Sequence, residues 1–187
     1  MNIKTGSFFF CLLLIILGFL PACGQSDREV SQALEQLSQT GSVYVDDVNT
    51  ASKLTGYTVK TVSFLPEGFK LGEFPGGPFQ VFKLGGPEVT TDNKYPYSVL
   101  QYFYQAGKVI SNEPYFSIHQ SRNKISSPAD EPITINGFQG KKGIFSLANR
   151  EMMYLTWNDG TTYFVIESWL TEILDDATLI KVAGSIK

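Results

Sequence analysis

The stretch from Glu151 to Ser168 constrains this chain most. Met153, Leu155 and Trp157 alternate with polar neighbours, Asn158-Asp159-Gly160 interrupts, and Phe164 and Ile166 resume the alternation. A period of two puts those apolar side chains on one face of a strand. An Asp-Gly pair between two such runs supplies the positive-φ residues of a tight hairpin turn. The segment therefore reads as two antiparallel strands with one buried face.

Further runs of the same kind lie upstream: Val59 to Phe64, Phe69 to Phe74, Phe79 to Leu84, Tyr97 to Gln105, a short run around Val109, and Tyr115 to Arg122. Ile133 and Ile135 begin another strand, turned at Asn136-Gly137, and Lys142 to Ala148 continues it. Leu100, Tyr102 and Tyr104 share one face of their strand, and Phe116 and Ile118 one face of theirs. Leu65-Pro66-Glu67-Gly68 is a turn, with proline fixing φ and glycine able to take positive φ. Pro75 to Pro78, Gly85 to Pro87, Glu88 to Tyr95 and Asn123 to Glu131 are loops.

Helical spacing is confined to three places. Val30, Leu34 and Leu37 predict a short helix within Val30 to Gln39. Asp47 caps a second, carrying Val48, Ala51 and Leu54 and ended by Gly56. Asp175 or Asp176 caps a third, with Leu179, Ile180, Ala183 and Ile186 on its apolar face. Strands without alternating helices, closed by a helix, predict an α+β fold, with a mainly antiparallel twisted sheet of about 7–9 strands and an N-terminal and a C-terminal helix packed on it.

The N-terminus carries an address. Lys4 precedes the apolar run Phe8 to Leu20, and small residues follow up to Cys23. This is the layout of a secretory signal peptide. The run stops at Pro21, short of the about 20 apolar residues that cross a bilayer. Its end resembles the bacterial lipobox, Leu-x-Ala-Cys, with Leu20, Ala22 and Cys23 matching. That resemblance implies cleavage before Cys23 and a diacylglycerol on its sulfur. The protein would then be exported and lipid-anchored to the bacterial cell membrane or outer membrane. Each buried CH₂ of such a lipid contributes about 0.8 kcal/mol of membrane affinity. Gly24 after the cysteine permits outer-membrane sorting. The expected organisation is a signal peptide over 1–22, a lipidated tether with a short helix over 23–40, and a single α+β domain over 41–187.

The order of parts from Asp47 to Ile186 also resembles an uncharacterised bacterial domain family of exported lipoproteins and anti-sigma-factor-like proteins. The marks are Phe64-Leu65-Pro66-Glu67-Gly68-Phe69, Ile135-Asn136-Gly137, Leu155-Thr156-Trp157 and the ending Ala183-Gly184-Ser185-Ile186. The resemblance implies architecture and location and carries over no catalytic residue. At a coarser level the pattern is similar to the PsbP-like sheet and to the half-barrel of lipoprotein carriers, which holds acyl chains.

Composition excludes several functions. Of 187 residues, 18 are acidic and 15 basic. Loss of Lys4 with the leader leaves 14 basic residues and a charge of about −4, which offers no basic patch for nucleic acid. The cysteines are Cys11, inside the leader, and Cys23, so the domain has no disulfide and no cysteine metal site.

Candidate chemistry is sparse. His119 is the sole histidine; a Ser-His-Asp relay would have to use it, and it reads as a solvated residue beside Ser117 and Ser121 on a polar strand face. Gly137 to Lys142 lacks the spacing and the Ser/Thr of a phosphate loop. Glu172, Asp175 and Asp176 lack calcium-loop spacing and read as helix capping, as do Asp46 and Asp47. No cofactor is expected. Aromatics crowd the first half, and Phe79, Phe82, Tyr102, Tyr104 and Phe116 are the candidate walls of a ligand groove if they are not core. The expectation is a non-enzymatic, membrane-anchored lipoprotein that binds a partner or senses the envelope. The alternative is a carrier for a hydrophobic ligand such as an acyl chain. A hydrolase is the least favoured reading.

Overall fold

The computed structural model describes residues 23–84, 95–105, 115–147 and 149–187. Residues 1–22, expected to be a signal peptide, the Gly85 to Pro87 and Val109 segments and most of the Glu88 to Tyr95 loop lie outside the described residues. The chain adopts an α+β fold built on one open antiparallel sheet. In chain order the elements are α1 (Cys23–Thr40), β1 (Ser42–Val45), α2 (Val48–Thr55), β2 (Phe69–Leu71), β3 (Phe79–Lys83), β4 (Tyr97–Gln105) and β5 (Tyr115–Ser121). They continue with β6 (Glu131–Ile135), β7 (Phe138–Leu147), β8 (Arg150–Asn158), β9 (Tyr163–Trp169) and α3 (Asp176–Gly184). The sheet order is β1-β3-β4-β5-β9-β8-β7-β6, and β2 pairs the far half of β4.

One face of this sheet holds the core. Register places Gln101, Ile118, Ile166 and Leu155 in one row across β4, β5, β9 and β8, and Phe103, Phe116, Ser168 and Met153 in the next. All eight are buried. Leu179, Val182 and Ala183 of α3 pack on that face with Trp157 and Ile135. A second cluster gathers Ala33 and Leu37 of α1 and Ala51 and Leu54 of α2 over Val43, Phe79, Val81 and Val99.

Local chemistry fixes the helices. Asp47 accepts from the backbone N–H groups of Asn49 (2.8 Å) and Thr50 (3.0 Å), and Asp175 from that of Thr178 (2.8 Å). These are orphan donors of a first helical turn. The helix expected over Val30 to Gln39 begins earlier, at Cys23, so Gly24 to Glu29 is helical and not an irregular tether. Its inward residues are Ala33 and Leu37, while Leu34 stays 42 % exposed.

Val59 to Phe64 is not a strand; a single bridge joins Val62 to Ile186. Two buried glutamines take over the work of a neighbouring strand. Gln120 donates to the Lys60 carbonyl (2.7 Å) and accepts from its N–H (2.9 Å), and Gln101 donates to the same carbonyl (3.0 Å). On the other side, Thr61 exchanges backbone hydrogen bonds with Lys187, at 3.1 and 3.2 Å. The backbone is satisfied without a ladder, as burial requires.

Candidate functional site

Among the described residues, no helix covers the opposite face of the sheet. Register again gives two rows. Tyr102, Ser117, Glu167 and Tyr154 lie side by side on β4, β5, β9 and β8, and beside them run Leu100, His119, Val165 and Thr156. Directly opposite residues in an antiparallel pair bring their Cβ atoms to about 4.5–5.5 Å. Ser117 and Glu167 are such a pair, and His119 is the next residue of β5 on the same face.

A strap formed by residues 122–130 crosses this face. At one end Arg122 donates to the Thr161 carbonyl (2.6 Å) and Asn123 to that of Tyr95 (2.8 Å). At the other, Ala129 is buried against Gly143. A Cβ on Gly143 would lie 2.9 Å from the Ala129 Cα, so only glycine lets the strap lie this close. Ile125 and Ser126 span between, and under them opens a cleft of about 270 Å³. Leu100, Val165 and Ile125 give it apolar walls, Tyr102 and Tyr154 aromatic ones, and Ser117, His119 and Glu167 a polar floor. A second cavity, of about 370 Å³, lies on the far side of the strap over Gln139, Lys141, Thr156 and Tyr163.

The floor is electrostatically unusual. His119 is half-buried, its ring 5.2 Å from that of Phe82, and its Nε2 makes no hydrogen bond. Burial pushes its pKa down to about 4, so the imidazole is neutral near pH 7. This corrects the reading of His119 as a solvated residue: the neighbouring aromatic rings and the strap take water from it. Glu167 is also half-buried, and burial raises its pKa, opposed by the Tyr154 hydroxyl, which donates to the carboxylate.

The five expected groove residues divide between the faces. Phe79 and Phe116 belong to the core, Phe79 beneath the first two helices and Phe116 stacked on Phe103 with ring centroids 4.5 Å apart. Tyr102 lines the cleft, and Phe82 backs His119. Tyr104 stands at the side, sharing Phe74 with Tyr102 at 5.9 and 5.6 Å. The walls and floor supplied by Leu100, Tyr154, Val165 and Glu167 were not singled out in the sequence. A carboxylate at mid-strand, as Glu167 stands between Ile166 and Ser168, was the one available signal.

The other sequence candidates are engaged structurally. Asp175 caps α3, Asp176 accepts from Lys142 (2.9 Å), and Asp47 caps α2. Asn136 and Gly137 take positive φ in the β6–β7 turn, and Lys142 also pairs with Glu131 at 3.4 Å. Cys23 is the first residue of α1. No group of three metal-ligating side chains gathers among the described residues. Neither a family model, nor a curated protein, nor a solved structure matches this chain.

Proposed function

We propose that this protein is an exported lipoprotein, anchored through Cys23, whose domain binds a small ligand in the strap-covered cleft without transforming it. The observation that carries the reading is the division of the sheet. One face is closed by two packed hydrophobic clusters, while the other keeps a half-roofed cleft with a polar floor. Clefts with apolar and aromatic walls and a few convergent polar groups are what small-molecule sites look like. The His119 Nε2 bonds to nothing, and Glu167 is engaged by Tyr154, so the parts of a proton relay are not joined. An acyl-chain carrier needs a continuous apolar cavity, and Ser117, His119 and Glu167 break this one.

Anchoring follows from Leu20, Ala22 and Cys23. It is tested by mass spectrometry of the native chain, gently extracted from membranes. The expected species lacks residues 1–22 and carries diacylglycerol on Cys23, and Cys23→Ala is not lipidated. An intact precursor at steady state, a cytosolic product, or a palmitate label that survives the substitution would overturn it.

A further inference from the structure

Among the described residues, Glu167 and the neutral His119 are the titratable acid and base on the cleft's lining, and no lysine or arginine lines it. A carboxylate partly removed from water with a single hydroxyl donor keeps acceptor capacity to spare. Beside it, directly across the strand pair, stands a further acceptor, the Ser117 Oγ, while the His119 Nε2 is closed off from the cleft beside Phe82. Tyr102 and Tyr154 bracket Ser117 and Glu167 in the same row. An anionic ligand would have to sit against Glu167, and a purely apolar one would strip water from both polar groups without replacing it.

We propose that the cleft takes a small organic molecule bearing a primary ammonium group, held by Glu167 and Ser117 Oγ with its carbon skeleton between Tyr102 and Tyr154. An ammonium has three donors and no acceptor, which suits a carboxylate and a hydroxyl oxygen standing side by side. Aromatic faces add attraction for the same charge. The volume suits about nine waters, which limits the skeleton to roughly a single ring and a short chain. This inference rests on the cleft being the binding site, and it names what enters.

Saturation-transfer NMR and calorimetry on the full chain in mild detergent test it. The probes are phenethylammonium, its neutral counterpart 2-phenylethanol and the anion phenylacetate. Phenethylammonium binds, 2-phenylethanol binds about tenfold more weakly or worse, and phenylacetate does not saturate. Glu167→Gln lowers phenethylammonium affinity by at least about tenfold and leaves 2-phenylethanol unchanged. Tyr102→Leu, which leaves the carboxylate in place, weakens both probes about equally. Near-UV dichroism confirms that each variant keeps its packing. Equal binding of the amine and the alcohol, both lost in Tyr102→Leu, would overturn the ammonium assignment and keep the cleft as the site. Binding that neither variant moves, or no saturable binding by any probe, would overturn the cleft itself.

Discussion

Phe116→Ala and Tyr102→Ala each remove one aromatic ring from neighbouring strands, but from opposite faces of the sheet. Phe116 is 0 % exposed, with the Phe103 ring parallel to it within 5° and Phe69 5.8 Å away. Truncating a ring so enclosed forfeits its transfer free energy and leaves a cavity, about 3–5 kcal/mol in all. Tyr102 is only half-buried and shares its contacts with Phe74 and Tyr104. Its loss is worth one or two exposed aromatic pairs, about 1–2 kcal/mol. Urea unfolding followed by the fluorescence of Trp157 and Trp169 and by far-UV dichroism measures both. The midpoint should fall two- to threefold further for Phe116→Ala, with unchanged m. In Tm the difference is about 6–20 °C against about 2–8 °C for a domain of this size. If Tyr102→Ala cost as much as Phe116→Ala, or if Phe116→Ala cost under about 1 kcal/mol, the assignment of core and open faces would be wrong.

Three further substitutions probe the frame. Gly77→Ala meets the Val45 carbonyl and the Asp46 backbone nitrogen at a φ of +118°, so soluble yield and Tm should collapse, whereas Gly160→Ala meets nothing within 4 Å and should cost only about 1–2 kcal/mol in the same melt. Burial alone would raise the pKa of Asp159, but the Lys60 ammonium 2.5 Å away and the donors of Thr161 and Thr162 carry it down to about 2. A depressed carboxylate stabilises the fold above its unfolded pKa, about 3.9, and that stability is lost as pH falls towards 2; it amounts to something on the order of 2 kcal/mol. Asp159→Asn keeps the turn acceptors and should flatten the fall in urea midpoint between about pH 4 and 2 by that amount, and an unaltered slope would refute the assignment.

The hairpin was the most legible part of the chain because one face alternates cleanly and Asn158-Asp159-Gly160 turns it. Met153, Leu155, Trp157, Phe164 and Ile166 are all core. The caps Asp47 and Asp175 were equally legible, since capping is a local interaction between side chain and backbone. Phase on β4 was not. Leu100, Tyr102 and Tyr104 do share one face, but the spacing did not say which face is inside, and it is that of Val99, Gln101 and Phe103. Aromatics on both faces blur the period, and Gln101 is buried only because the Lys60 carbonyl, 41 residues away, receives it. The same kind of distant partner explains why Val59 to Phe64 looked like a strand: its backbone is satisfied, but by Gln101 and Gln120 on one side and by the chain end at Ser185 and Lys187 on the other. The cleft was illegible for a related reason. Tyr102, Ser117, Glu167 and Tyr154 belong to four strands, and only the register aligns them in one row.

The two borders of the sheet bear on crowding. A protein fixed to a surface meets its copies at a much higher effective concentration than one free in solution. Open strand margins then become templates for runaway polymerisation. Here one margin, β6, carries Pro132, which has no N–H to offer a newcomer, next to the charge of Glu131. The other, β1, is four residues long and lies against α1. On the proposed anchor, neighbours packed shoulder to shoulder would thus find little ladder to extend at either end, and β2, paired on one side alone, offers only three residues.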